Sequence, residues 1–231
     1  MNYELIHISI LEVLKHCNIN SFPIDCYEIL KQYNIETYSY SSLSDDLREY
    51  CLKFSNDALK YRDKICYNSN LPSGRVRFSL MHELGHIVLN HSNNPTHEME
   101  QEANFFASNI LAPRMAIHYA KCKNETDVSK IFELTNEASQ YAFDDYRRWH
   151  RWTIYHKMNN LDKAMYAHFY NKELNCFVYS IIRCAYCDTL IYNSFDNICK
   201  KCKTPSRVFT QYQKPSEDLL IAESHWLYSG L

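Results

Sequence analysis

The feature that most constrains this chain is the segment at residues 79–91, SLMHELGHIVLNH, in which two histidines stand four residues apart. On an α-helix this spacing places His82 and His86 on one face, one turn apart, where two imidazoles can bind a single tetrahedral zinc ion. Glu83 lies about 100° around the helix from His82, so it is badly placed as a ligand but can reach a water on the metal. The pattern predicts two ligands and one general base. A structural role for three polar residues on a half-buried helix is the alternative.

A catalytic zinc site needs a third protein ligand and keeps a fourth position open for water. The next segment, THEMEQEANFFASNILAP, offers Glu98, Glu100 and Glu102 on a predicted helix. Glu102 directly precedes Ala103 and lies four residues before Phe106, at the rim of the apolar stripe, whereas the other two glutamates lie further toward the polar flanks. A carboxylate at such a rim is unfavourable unless it is paired or bound to a metal. We therefore expect Glu102 to be the third ligand. The alternative is an acidic helix start, which the helix dipole favours.

Four of the ten cysteines form a second motif, in which two Cys-x-x-Cys pairs are separated by eleven residues. Cys184, Cys187, Cys199 and Cys202 at this spacing predict a tetrahedral zinc site with each pair on a tight turn. Four ligands leave no open position, so this zinc should be structural. The other six cysteines follow no pattern, and we interpret them as small core or surface residues.

Composition excludes several other classes of protein. The chain of 231 residues has only 3 glycines and lacks both common phosphate-loop patterns. Its formal net charge of -2 gives no global attraction to nucleic acid. No apolar run reaches the roughly 18 residues of a membrane span, and charged residues interrupt the apolar N-terminus, unlike a signal peptide. We expect a cytoplasmic protein with reduced thiols and no membrane partner.

Periodicity predicts an α+β fold. The predicted helices are residues 3–16, a segment after the N-cap Asp25, a segment opened by a capping box of Ser42 and Asp45 that ends at about Phe54, a segment opened by a Ser73 cap, about 96–111 and about 127–152. The predicted strands are the segments ETYSYSS, ALKY and KICYN.

Together, the segments RVRFSLMHELGHIVLNH and EQEANFFASNILAP resemble the ImmA/IrrE family of metallopeptidases. The resemblance implies a zincin-like, mainly helical metallopeptidase domain with a small sheet. It also implies zinc held by His82, His86 and the glutamate of EAN, here Glu102, with Glu83 as the catalytic glutamate. We expect this domain over residues 1–152, a connecting segment at 153–180, a Cys₄ zinc ribbon at 181–205 and a C-terminal tail at 206–231.

The implied function is a zinc-dependent endopeptidase with one catalytic and one structural Zn²⁺. Its implied protein substrate is a helix-turn-helix transcriptional repressor, in the control of a phage or mobile element. The alternative is a non-proteolytic, zinc-containing regulator that binds DNA or a repressor partner, and a toxin–antitoxin partner is a third option.

Three secondary features leave more than one interpretation open. Arginines interleaved with tryptophans in YRRWHRWTIYHK suit contact with nucleic acid or an acidic protein, but a solvated basic helix face with two buried tryptophans explains the same pattern. His91, His97 and His118 are candidates for a second oxyanion donor, or are ordinary surface and core histidines. The KICYN strand is either a substrate-binding edge or an ordinary sheet strand.

Overall fold

The computed structural model describes residues 1–92, 94–194 and 196–204. The tail predicted at 206–231 lies entirely outside the described residues. The described part is mostly helical with small sheets, which confirms the α+β prediction. None of its helices combines the length and the apolar character needed to cross a membrane.

The helices, in chain order, are α1 (Tyr3–His16), α2 (Cys26–Gln32), α3 (Asp45–Phe54), α4 (Ser73–Val88), α5 (His97–Leu111), α6 (Arg114–Tyr119), α7 (Glu125–Phe132), α8 (Asn136–Tyr155), α9 (Asn160–Phe169) and α10 (Lys200–Lys203). The strands are β1 (Glu36–Ser39), β2 (Ala58–Tyr61), β3 (Lys64–Tyr67), β4 (Tyr170–Asn171), β5 (Cys176–Phe177), β6 (Ile181–Arg183) and β7 (Leu190–Tyr192).

Side-chain caps fix several helix starts that the sequence predicts. The Asp25 carboxylate accepts the backbone N–H groups of Tyr27 and Glu28 at 2.9 and 3.1 Å, which satisfies two donors that have no partner inside α2. The Thr96 hydroxyl accepts an N–H in the first turn of α5 in the same way. At α4 the prediction was one residue off, because Ser73 is the first helical residue and Pro72 occupies the N-cap.

The main sheet has the strand order β1-β3-β2. Strand β3 pairs in parallel with β1 and in antiparallel register with β2, and its Ile65 and Cys66 are buried. The KICYN strand is therefore the centre of the sheet and an ordinary sheet strand. The edge nearest the helix that carries His82 belongs to β2 instead.

One hydrophobic core runs through α1, α2 and α4–α9. Leu14, Leu80, Phe106 and Phe132 are fully or almost fully buried in it. Residues from α9 and β5 join the same core, so the segment at 153–180 packs against the helices that precede it. The domain boundaries drawn from the sequence stay a prediction.

The helix predicted at about 127–152 is two helices, α7 and α8. Glu133 ends α7 in a left-handed conformation with φ 56°, and Thr135 then caps α8 through the N–H of Ala138. This break packs directly on α4, because a Cβ on Gly74 would lie 3.0 Å from backbone atoms of Leu134 and Thr135. The turn is thus fixed by a contact with a distant segment of the chain, which no local sequence pattern predicts.

Candidate metal centres

Helix α4 packs on α5 at unusually close range. A Cβ on Gly85 would lie 3.1 Å from Phe106 Cδ1 and 3.3 Å from Ala103 Cα of α5, so only a glycine leaves this approach free of crowding. Leu80 and Leu84 of the same helix are completely buried. The close contact brings the two histidines of α4 within reach of the first turns of α5.

Three side chains converge where the two helices meet. The Nε2 atoms of His82 and His86 lie 3.0 Å apart. The Glu100 carboxylate lies 3.3 Å from the first of these nitrogens and 3.6 Å from the second. One ligand atom from each residue falls within 4.8 Å of the others. Two imidazole lone pairs this close to each other and to a carboxylate form a donor set that suits a divalent transition metal.

The third member of this group is Glu100, and not the Glu102 predicted from the sequence. At about 100° per residue, Glu100 lies about 60° from Ala103 around α5, whereas Glu102 lies about 100° away on the other side. Ala103 faces α4, so the smaller angle brings Glu100 to the histidines. The Glu102 carboxylate instead lies 3.3 Å from Nε2 of His91. The prediction placed Glu102 by its adjacency to Ala103 in sequence, when the angle around the helix decides.

The second ring nitrogen of each histidine is engaged by a neighbour. His82 Nδ1 lies 2.9 Å from Asn104 Oδ1, and His86 Nδ1 lies 2.9 Å from His91 Nδ1. Burial lowers the pKa of His82, and burial followed by the neighbouring His82 and His91 lowers that of His86 to about 4. Both rings are therefore neutral at pH 7, which leaves their Nε2 lone pairs free for a metal.

Sequence reasoning missed Asn104 as well as Glu100, although a signal for both was present. Glu100 and Asn104 are four residues apart on α5, the same spacing as His82 and His86 on α4. Two facing helices with matched i, i+4 polar pairs place four side chains around one point.

Glu83 projects from α4 toward the edge strand β2. Its Oε2 accepts the backbone N–H of Lys60 at 3.0 Å. Burial raises the pKa of the Glu83 carboxyl to about 7, against the smaller opposing effect of that N–H. A carboxylate that titrates near neutral pH is suited to take and return a proton.

The four patterned cysteines also come together. Their Sγ atoms lie within 4.8 Å of one another. Cys184 directly follows β6, whose antiparallel partner is β7, and Cys199 directly precedes α10. The backbone N–H of Cys199 is the leading cause that lowers the pKa of the Cys184 thiol to about 6, while contact with Cys187 leads in raising that of Cys202 to about 12. Four thiols this close cannot all ionise without a cation, and the cluster is consistent with a zinc ribbon.

The remaining predicted residues lie elsewhere. His97 is exposed and contacts Gln101 on α5, and His118 packs against Trp149 and His150. Neither belongs to the group around His82.

Only one tryptophan of the basic segment is buried. Trp149 is 6% exposed, whereas Trp152 is 47% exposed and stacks on His156. The expectation of two buried tryptophans was therefore half right. Arg147 and Arg148 are exposed and each lies near an aspartate of the same helix, so part of their charge is compensated locally.

A groove of about 820 Å³ lies beside α4 and α5 and is lined in part by Asn104, which contacts His82, although His82 itself does not line it. Phe78, Phe105 and Tyr141 are among its lining residues, together with many polar side chains. Asp144 and Arg148 lie at its α8 side. The groove is much larger than one side chain, so it can hold an extended segment of polypeptide.

Comparison with known families gives one match. The peptidase M78 family, whose model is described as the IrrE N-terminal-like domain, matches residues 30–143. The matched range contains His82, Glu83, His86 and Glu100, and it excludes the cysteine cluster. No curated protein and no solved structure matches the chain.

Proposed function

Since residues 30–143 belong to the IrrE N-terminal-like family of metal-dependent peptidases, we propose that this chain is a zinc-dependent endopeptidase. His82, His86 and Glu100 hold the catalytic zinc, and Glu83 is the general base. The observation that carries the assignment is the convergence of two histidine Nε2 atoms and one carboxylate within 4.8 Å, one residue away from a carboxyl whose pKa is raised to about 7. Three ligands leave the fourth position that a hydrolytic site needs.

A Zn²⁺ ion held there would polarise the scissile carbonyl and make a water molecule more acidic. The Glu83 carboxylate takes the proton of the attacking water and returns it to the leaving amine, so the proton balance closes within one residue. The backbone N–H of Lys60 donates a hydrogen bond of 3.0 Å to that carboxylate and so orients it. Burial raises the pKa of Glu83 to about 7, which suits proton transfer near neutral pH.

The substrate backbone pairs with the open edge of β2. This strand ends the sheet on the side of α4, and extended peptides bind such edges through backbone hydrogen bonds. Its Lys60 N–H already points out of the sheet toward Glu83, so a peptide beside β2 lies next to the general base.

The aromatic groove receives a further part of the substrate chain. Its lining by Phe78, Phe105 and Tyr141 favours apolar side chains of the substrate. Truncating the exposed ring in Tyr141→Ala should raise KM and leave metal content unchanged. An unchanged KM would remove the groove from the substrate site.

The resemblance to ImmA/IrrE proteins supports a helix-turn-helix repressor as the substrate, in phage or mobile-element regulation. The Cys₄ cluster holds a second, structural zinc, because its four ligands leave no position for water. All ten cysteines are free of disulfides, which supports a reducing compartment such as the cytoplasm. The basic segment of α8 gives little support for direct nucleic-acid binding, because aspartates of the same helix lie beside two of its arginines.

The test is incubation with a purified helix-turn-helix repressor from the same source, chosen first from the genes that neighbour this one. The wild-type protein should cleave it, and Glu83→Gln should keep its metal but lose cleavage. Glu98→Gln is the matched control, because Glu98 lies exposed on α5 and should leave both properties unchanged. Retained cleavage in metal-loaded Glu83→Gln would remove the general-base role. Repressor binding without cleavage by the metal-loaded wild type would favour the non-proteolytic regulator.

The ligand assignment has its own test. Glu100→Gln should lose the catalytic metal, whereas Glu102→Gln should only weaken its binding. Metal analysis of the two variants side by side decides between Glu100 and the glutamate that the sequence first suggested.

A further inference from the structure

The segment that follows α4 folds back onto the helix, and this places a third histidine, His91, next to His86. Asn90 adopts a left-handed conformation with φ 55°. The N–H of His91 donates to the carbonyl of His86 at 2.9 Å, and the N–H of Asn90 donates to that of Ile87 at 3.2 Å. These two bonds form a Schellman motif, in which asparagine is one of the few residues that tolerates the left-handed position. The motif fixes the backbone of His91 next to His86.

The His91 side chain is enclosed by its two partners. It is only 4% exposed. Its ring lies edge to face against that of His86, with ring centroids 5.0 Å apart. Its Nδ1 lies 2.9 Å from His86 Nδ1, and its Nε2 lies 3.3 Å from a Glu102 oxygen. The buried imidazole is therefore held at both nitrogens.

The ring protons of His86 and His91 can be assigned in only one consistent way. The Nε2 lone pair of His86 faces His82 and Glu100, so its single proton sits on Nδ1 when the ring is neutral. His91 then accepts that proton's hydrogen bond at Nδ1 and must carry its own proton on Nε2. That N–H points at the Glu102 carboxylate, which is an acceptor only.

We infer that His91 and Glu102 are positioning residues that hold His86 in the tautomer and orientation required to bind the catalytic metal. The inference rests on the proposed metal centre. Metal-binding histidines commonly donate their other N–H to a fixed acceptor, and loss of that acceptor typically lowers metal affinity by about 10- to 100-fold. For His82 the acceptor is Asn104. For His86 it is a histidine that a glutamate orients in turn.

The test is titration of the metal-free full-length protein with Co²⁺, followed by the visible d–d absorption of the His82 site. The thiolate-to-Co²⁺ absorption of the cysteine cluster serves as an internal control in the same sample. His91→Ala and Glu102→Ala should each raise the Co²⁺ dissociation constant of the His82 site by about 10- to 100-fold and leave the thiolate site unchanged. His97→Ala, an exposed histidine on α5, is the matched control and should bind as the wild type does.

Two further variants separate positioning from simple structural support. His91→Gln keeps a carbonyl that can accept from His86 and an amide that can donate to Glu102, so it should recover part of the lost affinity. The double variant His91→Ala/Glu102→Ala should be no weaker than His91→Ala alone, because Glu102 acts through His91. Circular dichroism of each metal-free variant checks the fold, and the conservative variants keep the test informative if an alanine variant unfolds.

The possible outcomes are distinct. Wild-type Co²⁺ affinity in both alanine variants would overturn the inference and leave the proposed centre intact. A loss in Glu102→Ala without a loss in His91→Ala would also overturn it, and would indicate that Glu102 binds the metal directly. Failure of the wild-type protein to bind Co²⁺ outside the cysteine cluster would instead refute the proposed centre itself.

Discussion

The burial of the Glu83 carboxyl predicts a pH-dependent stability that can be measured without any substrate. Its pKa is raised from 4.5 to about 7, chiefly by burial. Each pKa unit corresponds to about 1.4 kcal/mol, so the protonated form is favoured in the folded state by about 3 kcal/mol. This contribution to the free energy of unfolding is fully present below pH 4.5, which is the pKa of the carboxyl in the unfolded chain. It is lost as the pH rises through about 7, the pKa in the folded protein.

The substitution Glu83→Gln removes this titration and preserves the shape of the side chain. Relative to the wild type, the metal-free variant should therefore gain about 2 to 3 kcal/mol in free energy of unfolding between pH 5 and pH 8. His86 titrates with the opposite sign, since its pKa is lowered to about 4 and its contribution is lost as the pH falls from about 6.5. It is present in both proteins, so its contribution cancels in the difference.

Urea denaturation with a metal chelator at pH 5, 6, 7 and 8 measures the effect, followed by tryptophan fluorescence. Glu49→Gln is the matched control, because Glu49 is exposed on α3 and its replacement should give a difference that does not vary with pH. A stability difference between wild type and Glu83→Gln that stays constant from pH 5 to pH 8 would refute the reasoning. In that case Glu83 would not be tuned as a base by its surroundings.

Three other outcomes depend on packing and metal content. Gly74→Ala should lower the free energy of unfolding by about 1–3 kcal/mol in urea denaturation, because the new Cβ lies 3.0 Å from backbone atoms of the α7–α8 turn, whereas Ser73→Ala should change it little. Asp162→Ala should lower the free energy of unfolding by about 3–5 kcal/mol, because the guanidinium of Arg114 and the buried indole of Trp149 lose their hydrogen-bond acceptor. As a control, Asp144→Ala at an exposed position should lower it by at most about 0.5 kcal/mol. Cys184→Ser should reduce bound zinc from two ions to one per chain by elemental analysis, and loss of both ions would show that the two centres depend on each other.

The features that sequence predicted well are those fixed by local geometry. The spacing of His82 and His86 sets their common face on any helix, and each Cys-x-x-Cys pair needs only a tight turn. The cap at Asp25 likewise acts within three residues. Such features were predictable because the interactions that create them do not depend on the rest of the fold.

The features that sequence missed depend on contacts between distant segments. The order β1-β3-β2 puts KICYN at the centre of the sheet, and nothing in those five letters distinguishes a central strand from an edge. The break between α7 and α8 is fixed by packing on Gly74, about sixty residues earlier in the chain. Propensity alone therefore joins the two helices.

The choice between Glu100 and Glu102 depends both on local helix geometry and on a contact between two helices. Both glutamates flank the same apolar stripe, and only the direction from which α4 approaches α5 decides which one meets the histidines. Gly85 sets that direction, since its missing side chain lets Ala103 face α4 at close range. The same contact leaves the Glu102 carboxylate 3.3 Å from Nε2 of His91, which is the position that we propose for a residue supporting His86. In the proposed centre, a two-residue difference on one helix separates a metal ligand from a residue that orients one, and a helical-wheel angle measured from Ala103 would have distinguished them.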